Sequence, residues 1–339
     1  MIAALLVRVP GLHTSVQDRG RFGHRRIGVP RSGALDGDAL RLLNGLLGNE
    51  EDAAALECLG LGATLQAVDG PVRVALGGCA PAAAVVAPDG ARRPAPAWAS
   101  LRLEPGDTLA VGPLARFNAV LAIEGGVRVD PVLGSRSTYG RGGFGGFAGR
   151  ALRAGDRLDV EAATNRPDMR LADPPADDPA APVRVVLGPQ DDHFTADGLD
   201  TFLRETWCVT VDADRMGFRL DGATIAHVRG PDIVSDGAVA GSIQVPGSGR
   251  PIVLLADGQS VGGYSKIATI ASADLARFSR RRPGEIVRFA AVTQGEAEQL
   301  ARRHDKWLRG LVAGMMPARD GLDLAALYEA NLVSGVVSA

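Results

Sequence analysis

The chain has 339 residues, with 37 Lys+Arg set against 39 Asp+Glu and a formal charge of −2. So even a balance gives no electrostatic basis for a polyanionic partner, and neither nucleic acid nor an anionic membrane is expected as a ligand. Gly and Pro supply 44 and 21 residues with no collagen period and no low-complexity block, so turns are dense and a strand-rich fold follows.

The first run, Met1–Val7, is apolar but lacks a preceding basic segment and stops at Arg8, which suits a strand better than a signal peptide. A one-sided apolar stripe through Leu35, Ala39, Leu42, Leu43, Leu46 and Leu47 predicts a helix over 34–47, closed by Gly48-Asn49. Apolar runs bounded by Gly, Pro or Asp follow at 72–76, 117–123, 183–187, 208–211, 252–255, 267–270 and 286–289, the pattern of short strands between tight turns. Three related segments, Leu103–Asp107, Leu152–Asp156 and Arg281–Glu285, each lead into an apolar strand and read as repeated barrel or sandwich corners. Prolines 167, 174, 175, 179 and 182 make 168–182 a stiff linker or a long surface loop. Helices are predicted over 195–205 and 272–281. A further one starts at the capping box Thr293-Gln294-Gly295-Glu296 and runs to about Leu311, followed by a tail.

These features divide the chain into an N-terminal β-rich domain (1–182), a second β domain (183–292) and a C-terminal helix and tail (293–339). No apolar run reaches the ~18 residues of a membrane-spanning helix. Three cysteines, Cys58, Cys79 and Cys208, are odd in number and widely spaced, which fits neither a disulfide framework nor a zinc ribbon. A soluble cytoplasmic protein is expected. The five histidines form no pair at ligand spacing, so no metal is expected. Arg141–Gly146 has the glycines of a phosphate loop but neither the Gly-Lys-Ser ending nor a following helix pattern.

What remains is a set of polar, glycine-rich clusters. Gln17, Asp18, Arg19 and Arg21 precede a loop that carries Ser32 and Asp36, an arrangement suited to gripping a carboxylate or phosphate. Surface ion pairs and a helix cap at Ser32 or Asp36 would explain the same residues. Asp214 and Arg215, followed by Gly217, form either a turn ion pair or a ligand contact, and Gln244 is either a pocket amide or a strand end. The segment from Asp257 to Lys266 is the most informative, with Gln259, Gly262, Gly263 and Tyr264 between two apolar strands. Only two of the 37 basic residues are lysine, so an ammonium at Lys266 points to a need for a compact donor, against the alternative of an ordinary exposed lysine.

At these clusters the chain resembles the C subunit of bacterial 5-oxoprolinase and the biotin-dependent carboxyltransferase family, which includes allophanate-hydrolase subunit 2-like and urea-carboxylase-like proteins. The matching stretches are 14–20, 28–36, 48–57, 134–146, 188–190, 214–217, 241–246 and 257–268, in the same order. The resemblance implies a mainly β architecture of two β-barrel-like domains with a few helices, the C-terminal barrel being cyclophilin-like. It also implies partner subunits B and A and the ATP-dependent opening of the lactam 5-oxo-L-proline to L-glutamate, with the ATP-binding subunit unassigned and the chain inactive alone. Under the alternative, the chain moves a carboxyl group from carboxybiotin on a separate carrier to urea or a related amide. A second alternative is a regulatory binder of a histidine-kinase inhibitor. Either chemistry polarises an amide or ureido carbonyl, which requires positioned cations and N–H donors. The resemblance gives those roles to Lys266, Gln259 and Arg136 as catalytic residues. Substrate contacts fall to Gln17, Asp18, Ser32, Asp214, Arg215, Gln244, Asp257, Gly262, Gly263 and Tyr264.

Overall fold

The computed structural model describes residues 2–78, 83–176 and 178–318. Cys79 and the tail beyond Ala318 lie outside the described residues.

Glycine-bounded strands build the N-terminal half as two antiparallel sheets. One has six strands, with Thr64–Val68 and Thr108–Val111 at its centre; the other has five and is centred on Pro113–Ile123, flanked by Ala55–Leu61 and Val72–Gly77. Burial alternates along Thr64–Val68, and Leu5, Leu65 and Leu109 from one sheet share a single core with Leu56, Val74 and Leu121 from the other. The three related corners are the same turn. In each, a glycine (Gly106, Gly155, Gly284) takes φ near +90°, and the next residue's N–H reaches back three positions at 2.9–3.1 Å.

The C-terminal half is an eight-stranded sheet with Ile286–Val287 at one edge and Phe289–Ala291 at the other. Only Arg288 separates those two strands, so the chain crosses from edge to edge and all but closes the sheet into a barrel. Phe202, Trp207, Phe218, Phe278 and Phe289 fill it, with Phe202 and Phe289 stacked at 4.7 Å. The mainly β, barrel-like architecture thus matches the expectation. A separate two-stranded ribbon, Asp232–Gly237 with Val261–Tyr264, projects from the barrel.

Helix α1 (Gly37–Leu47) lays Leu40, Leu43 and Leu47 over the five-stranded sheet. α2 (Ala196–Arg204) is capped by Thr195, and α3 (Ser272–Ser279) sits against the barrel. α4 (Gln294–Ala313) opens on the predicted capping box. Two helices are shorter than the sequence pattern, for the same reason. Asp36 stops α1 by capping Ala39 N–H at 2.9 Å, and Arg280 leaves α3 to clasp Asp36 at 2.6 and 2.9 Å. The proline-rich 168–182 segment is pinned at its start, where Met169–Arg170 pairs with Met316–Pro317 and Asp168 accepts from Arg73. Among the described residues no helix is long and apolar enough to cross a membrane.

Buried polar groups join the two halves. Arg215, between two barrel strands, donates to Asp257 at 2.8 Å, to Glu57 of the five-stranded sheet, and to Gly33 O at 2.7 Å. Glu57 in turn accepts Leu35 N–H at 2.6 Å. Beside this bridge, Asn118 donates to Ser279 O and Ser279 Oγ to Leu35 O. Burial works against the Arg215 charge, but Asp257 and Glu57 outweigh it and leave the guanidinium above its ordinary value.

Arg215→Ala should therefore leave two buried carboxylates uncompensated and cost about 3–5 kcal/mol in chemical denaturation. Replacing Glu57, Arg215 and Asp257 together by Gln, Met and Asn should recover most of that loss; an Arg215→Ala protein as stable as wild type would contradict the bridge. A second expectation concerns pH. Burial opposes ionisation of Asp274, yet hydrogen bonds from the Arg184 side chain and N–H at 2.9 and 2.8 Å, with Arg277, hold its carboxyl below the usual range. A folded value below the unfolded ~3.9 stabilises the protein above that pH, and the effect disappears as pH falls through the folded value. Asp274→Asn should lower the unfolding midpoint at pH 7, with the gap from wild type narrowing below about pH 4.

Candidate functional site

The barrel collects one tight polar cluster. Lys266 opens the strand Lys266–Ile270, and its register partner across the sheet is Gln244, next to a β-bulge. Lys266 is only 2 % exposed, and its Nζ donates to Asp236 Oδ2 on the ribbon at 3.0 Å. Gln190 braces this pair from below. Its Oε1 accepts Lys266 N–H at 3.1 Å, its own N–H donates to Lys266 O at 3.2 Å, and its Nε2 donates to Asp236 at 3.2 Å. The Lys266 ammonium, then Gly237 N–H and Gln190, hold the Asp236 carboxyl below the ordinary carboxylate range.

Gln259 Nε2 donates to Gln244 Oε1 at 3.1 Å, which leaves the buried Gln244 Nε2 without an acceptor. A Cβ on Gly262 would stand 2.2 Å from that nitrogen, so Gly262 is glycine to keep the amide in place. Gly263 has ordinary room, with its nearest neighbours at 3.7 Å or more. Tyr264 ends the ribbon strand, 40 % exposed. An ammonium and side-chain amides gathered in this way are the kind of groups that can stabilise negative charge developing on a carbonyl oxygen.

The remaining candidates lie elsewhere. Asp18 is buried and accepts from Gly20 N–H and Ser135 Oγ at 2.7 Å, and also from Ser137 Oγ and Arg136 N–H. It ties the 18–20 loop to the 135–137 loop, so its acceptors go to neutral donors and not to the neighbouring arginines. The Arg136 guanidinium donates to Val129 O at 3.0 Å and lines an open groove of about 1180 Å³ beside the glycine-rich 143–149 loop, apart from Lys266. That loop leads into no helix. Ser32 sits in the seam between the halves at φ +53°, its N–H donating to Ala256 O at 2.9 Å. Gln17, Asp214, Arg215 and Asp257 line a cavity of about 450 Å³ between the two halves. Asp214 there accepts the turn N–H groups of Met216 and Gly217 at 2.8 and 3.2 Å. The Asp257–Lys266 segment is thus split, with Asp257 turned to Arg215 and the residues from Gln259 onward to the barrel.

Asp236 and His13 are not among the expected site residues, and Gln190 and Glu57 enter only as ends of the matching stretches 188–190 and 48–57, with no role given to either. Glu57 carries the clearest signal, an acid inside the apolar run Ala55–Leu61. Asp236 carries none, because only the ribbon pairing brings it to Lys266. Among the described residues no cluster of His, Cys, Asp and Glu is arranged to hold a metal.

Residues 27–291 match the family described as carboxyltransferase domain, subdomain A and B. The chain belongs to this family. It is 35 % identical to the C subunit of the Escherichia coli 5-oxoprolinase over 87 % of its own length and 93 % of that protein. It is 31 % identical to the urea amidolyase of Lachancea kluyveri over 92 % of its length, but spans only 18 % of that much longer chain. The crystal structure of the Kluyveromyces lactis urea amidolyase superposes with a TM-score of 0.80 at 28 % identity, covering 94 % of this chain and 21 % of the other.

Gly262→Ala should displace Gln244 while leaving the barrel folded. Amide resonances of Gln244 and Gln259 should shift by NMR with the thermal midpoint almost unchanged; unshifted amides would show that Gly262 does not hold this geometry.

Proposed function

We propose that the chain serves as the C subunit of a 5-oxoprolinase, acting with the A and B subunits in the ATP-dependent opening of 5-oxo-L-proline to L-glutamate. The observation that carries this reading is the 35 % identity extending over 93 % of the Escherichia coli protein, with Lys266 and its amide neighbours gathered on one barrel face.

A lactam is an unstrained amide, so its carbonyl must be polarised before the ring opens. In this reading Lys266 Nζ, the Gln259 and Gln244 side-chain amides and the N–H groups of Gly262 and Gly263 receive the carbonyl oxygen. Tyr264 borders the ring, and Gln190 and Asp236 fix the ammonium. Arg136, in its separate groove, serves as a contact to a partner subunit. The N-termini of α1, α2 and α4 are closed by Asp36, Thr195 and Thr293, and that of α3 carries Asp274 in its first turn, so these helix ends offer no free cradle to a phosphate. In this reading ATP is bound by a partner subunit.

The ribbon beside Lys266 supports docking of the B subunit. Val234 is 93 % and Val261 56 % exposed, with Tyr264 next to them, and apolar side chains grouped this way on a projecting hairpin suit a covering partner. A second reading is favoured by the urea amidolyase match over 92 % of the chain: carboxyl transfer from a biotin on a separate carrier to urea or a related amide.

Reconstitution with the A and B subunits should give 5-oxoproline-dependent ATP hydrolysis with release of glutamate, insensitive to avidin, whereas the isolated chain should give none. Lys266→Ala should lower turnover by about 10²–10³-fold in a subunit that still folds and assembles, with some loss of thermal midpoint from the buried space it leaves. Bicarbonate-dependent, avidin-sensitive carboxylation by the reconstituted complex would replace this reading with the second one, and full turnover by Lys266→Ala would remove Lys266 from the reaction.

A further inference from the structure

The Lys266 cluster presents its two charges unevenly. The Lys266 side chain is 2 % exposed, whereas that of Asp236, which takes its Nζ, is 53 % exposed. A molecule arriving from solvent therefore meets the carboxylate before the ammonium. That carboxylate is not used up within the fold. Its Oδ2 accepts Lys266 Nζ at 3.0 Å and Gln190 Nε2 at 3.2 Å, and its Oδ1 accepts Gly237 N–H at 2.7 Å. A carboxylate offers about four acceptor positions, so capacity remains on Oδ1.

The ribbon leaves room at this point. Asp236 pairs across it with Gly262, so the residue opposite has no side chain to cover the carboxylate, and a Cβ on Gly263 would meet nothing nearer than 3.7 Å. The side-chain carbonyl oxygens of Gln190 and Gln244 are spent inside the cluster, on Lys266 N–H and on Gln259 Nε2. The cluster thus sets a charged, half-exposed acceptor beside its donors. Because Lys266 neutralises Asp236, the pair aims this acceptor without adding net negative charge, which suits a substrate that carries a carboxylate of its own.

A lactam ring locks its amide cis, so N–H and C=O lie side by side on one edge. Urea has the same edge, whereas a trans secondary amide turns the two groups to opposite sides. We propose that Asp236 is the residue that selects this edge: its carboxylate accepts the substrate N–H while the adjoining carbonyl turns to the donors of the Lys266 cluster. The inference rests on the lactam reading for the identity of the substrate and adds to it the group that recognises the ring nitrogen.

The test is calorimetric titration of the reconstituted complex, with a non-hydrolysable ATP analogue present. The two ligands are 5-oxo-L-proline and its lactone counterpart, 5-oxotetrahydrofuran-2-carboxylate, in which a ring oxygen replaces the N–H. The lactam should bind about 10–100-fold more tightly, because the lactone sets a lone pair against the carboxylate. Asp236 lies on an exposed ribbon strand and Asn keeps an acceptor for Lys266, so Asp236→Asn should fold. In that variant the two ligands should bind within about threefold of each other, since an amide can donate as well as accept. A residue that only braced the ammonium would weaken both ligands alike on substitution and leave their ratio unchanged. Equal affinity for the two in the wild-type complex, an unchanged ratio in Asp236→Asn, or no binding of either would overturn the proposal. Turnover is scored separately. N–H-dependent binding without ATP-driven glutamate release would sink the lactam reading and leave Asp236 as the acceptor of such an edge, while glutamate release with no N–H preference would sink the proposal and leave that reading.

Discussion

The ion bridge of Arg215 with Glu57 and Asp257 fixes how the two halves of the chain meet. Arg215 and Asp257 belong to the barrel and Glu57 to the five-stranded sheet, so one guanidinium spans the seam with both of its carboxylates out of water. Buried pairs of this kind add little net stability compared with apolar packing, but they penalise every misaligned arrangement because a lost partner leaves a buried charge. Arg215 also holds Gly33 O, and Glu57 holds Leu35 N–H, so the bridge sets the path into α1, which Asp36 and Arg280 then clasp a second time. Two consecutive buried ionic contacts align the sheets in register and leave the cavity between them.

The bridge also shapes the Lys266 cluster. Asp257 is held at the end of the strand Ile252–Leu254, and the chain then runs through Gln259 into the ribbon before Lys266 starts the next strand. Fixing Asp257 therefore fixes the start of the loop that carries Gln259 and Gly262. The far end is set by the pairing of Lys266 with Gln244, and Gln190 binds Lys266 through both backbone and side chain. A buried ammonium remains a reliable donor only when held from several sides, and here three elements hold it: the strand from Lys266, the Gln190 turn and the ribbon.

Much of this was legible in the sequence because its signals are local. The strands expected at 72–76, 183–187 and 267–270, the capping box at Thr293 and the three glycine corners each follow from residues a few positions apart, and each stands in the structure, the strands to within one residue. The rarity of lysine drew attention to Lys266, and its burial shows why arginine does not serve there: a compact ammonium fits beneath Asp236 and Gln190. Non-local partners were not legible. Asp236 meets Lys266 through a ribbon with a register shift, and Glu57 meets Arg215 across 158 residues. The candidate residues also proved to belong to three places, with Arg136 in its own groove, because turn chemistry marks a loop as functional without saying which loops converge.

The central claim, that the Lys266 ammonium supplies the charge that acts on the lactam carbonyl, is tested most directly by chemical rescue. In the reconstituted complex carrying Lys266→Ala, adding methylammonium or ethylammonium should restore 5-oxoproline-dependent glutamate release in a saturable way, with the cation occupying the space left under Asp236 and Gln190. The same salts should leave the wild-type complex unchanged, and tetramethylammonium, which has no N–H to donate, should rescue nothing. Loss of activity that no primary ammonium restores in a folded, assembled complex, or rescue by tetramethylammonium as well, would contradict the account.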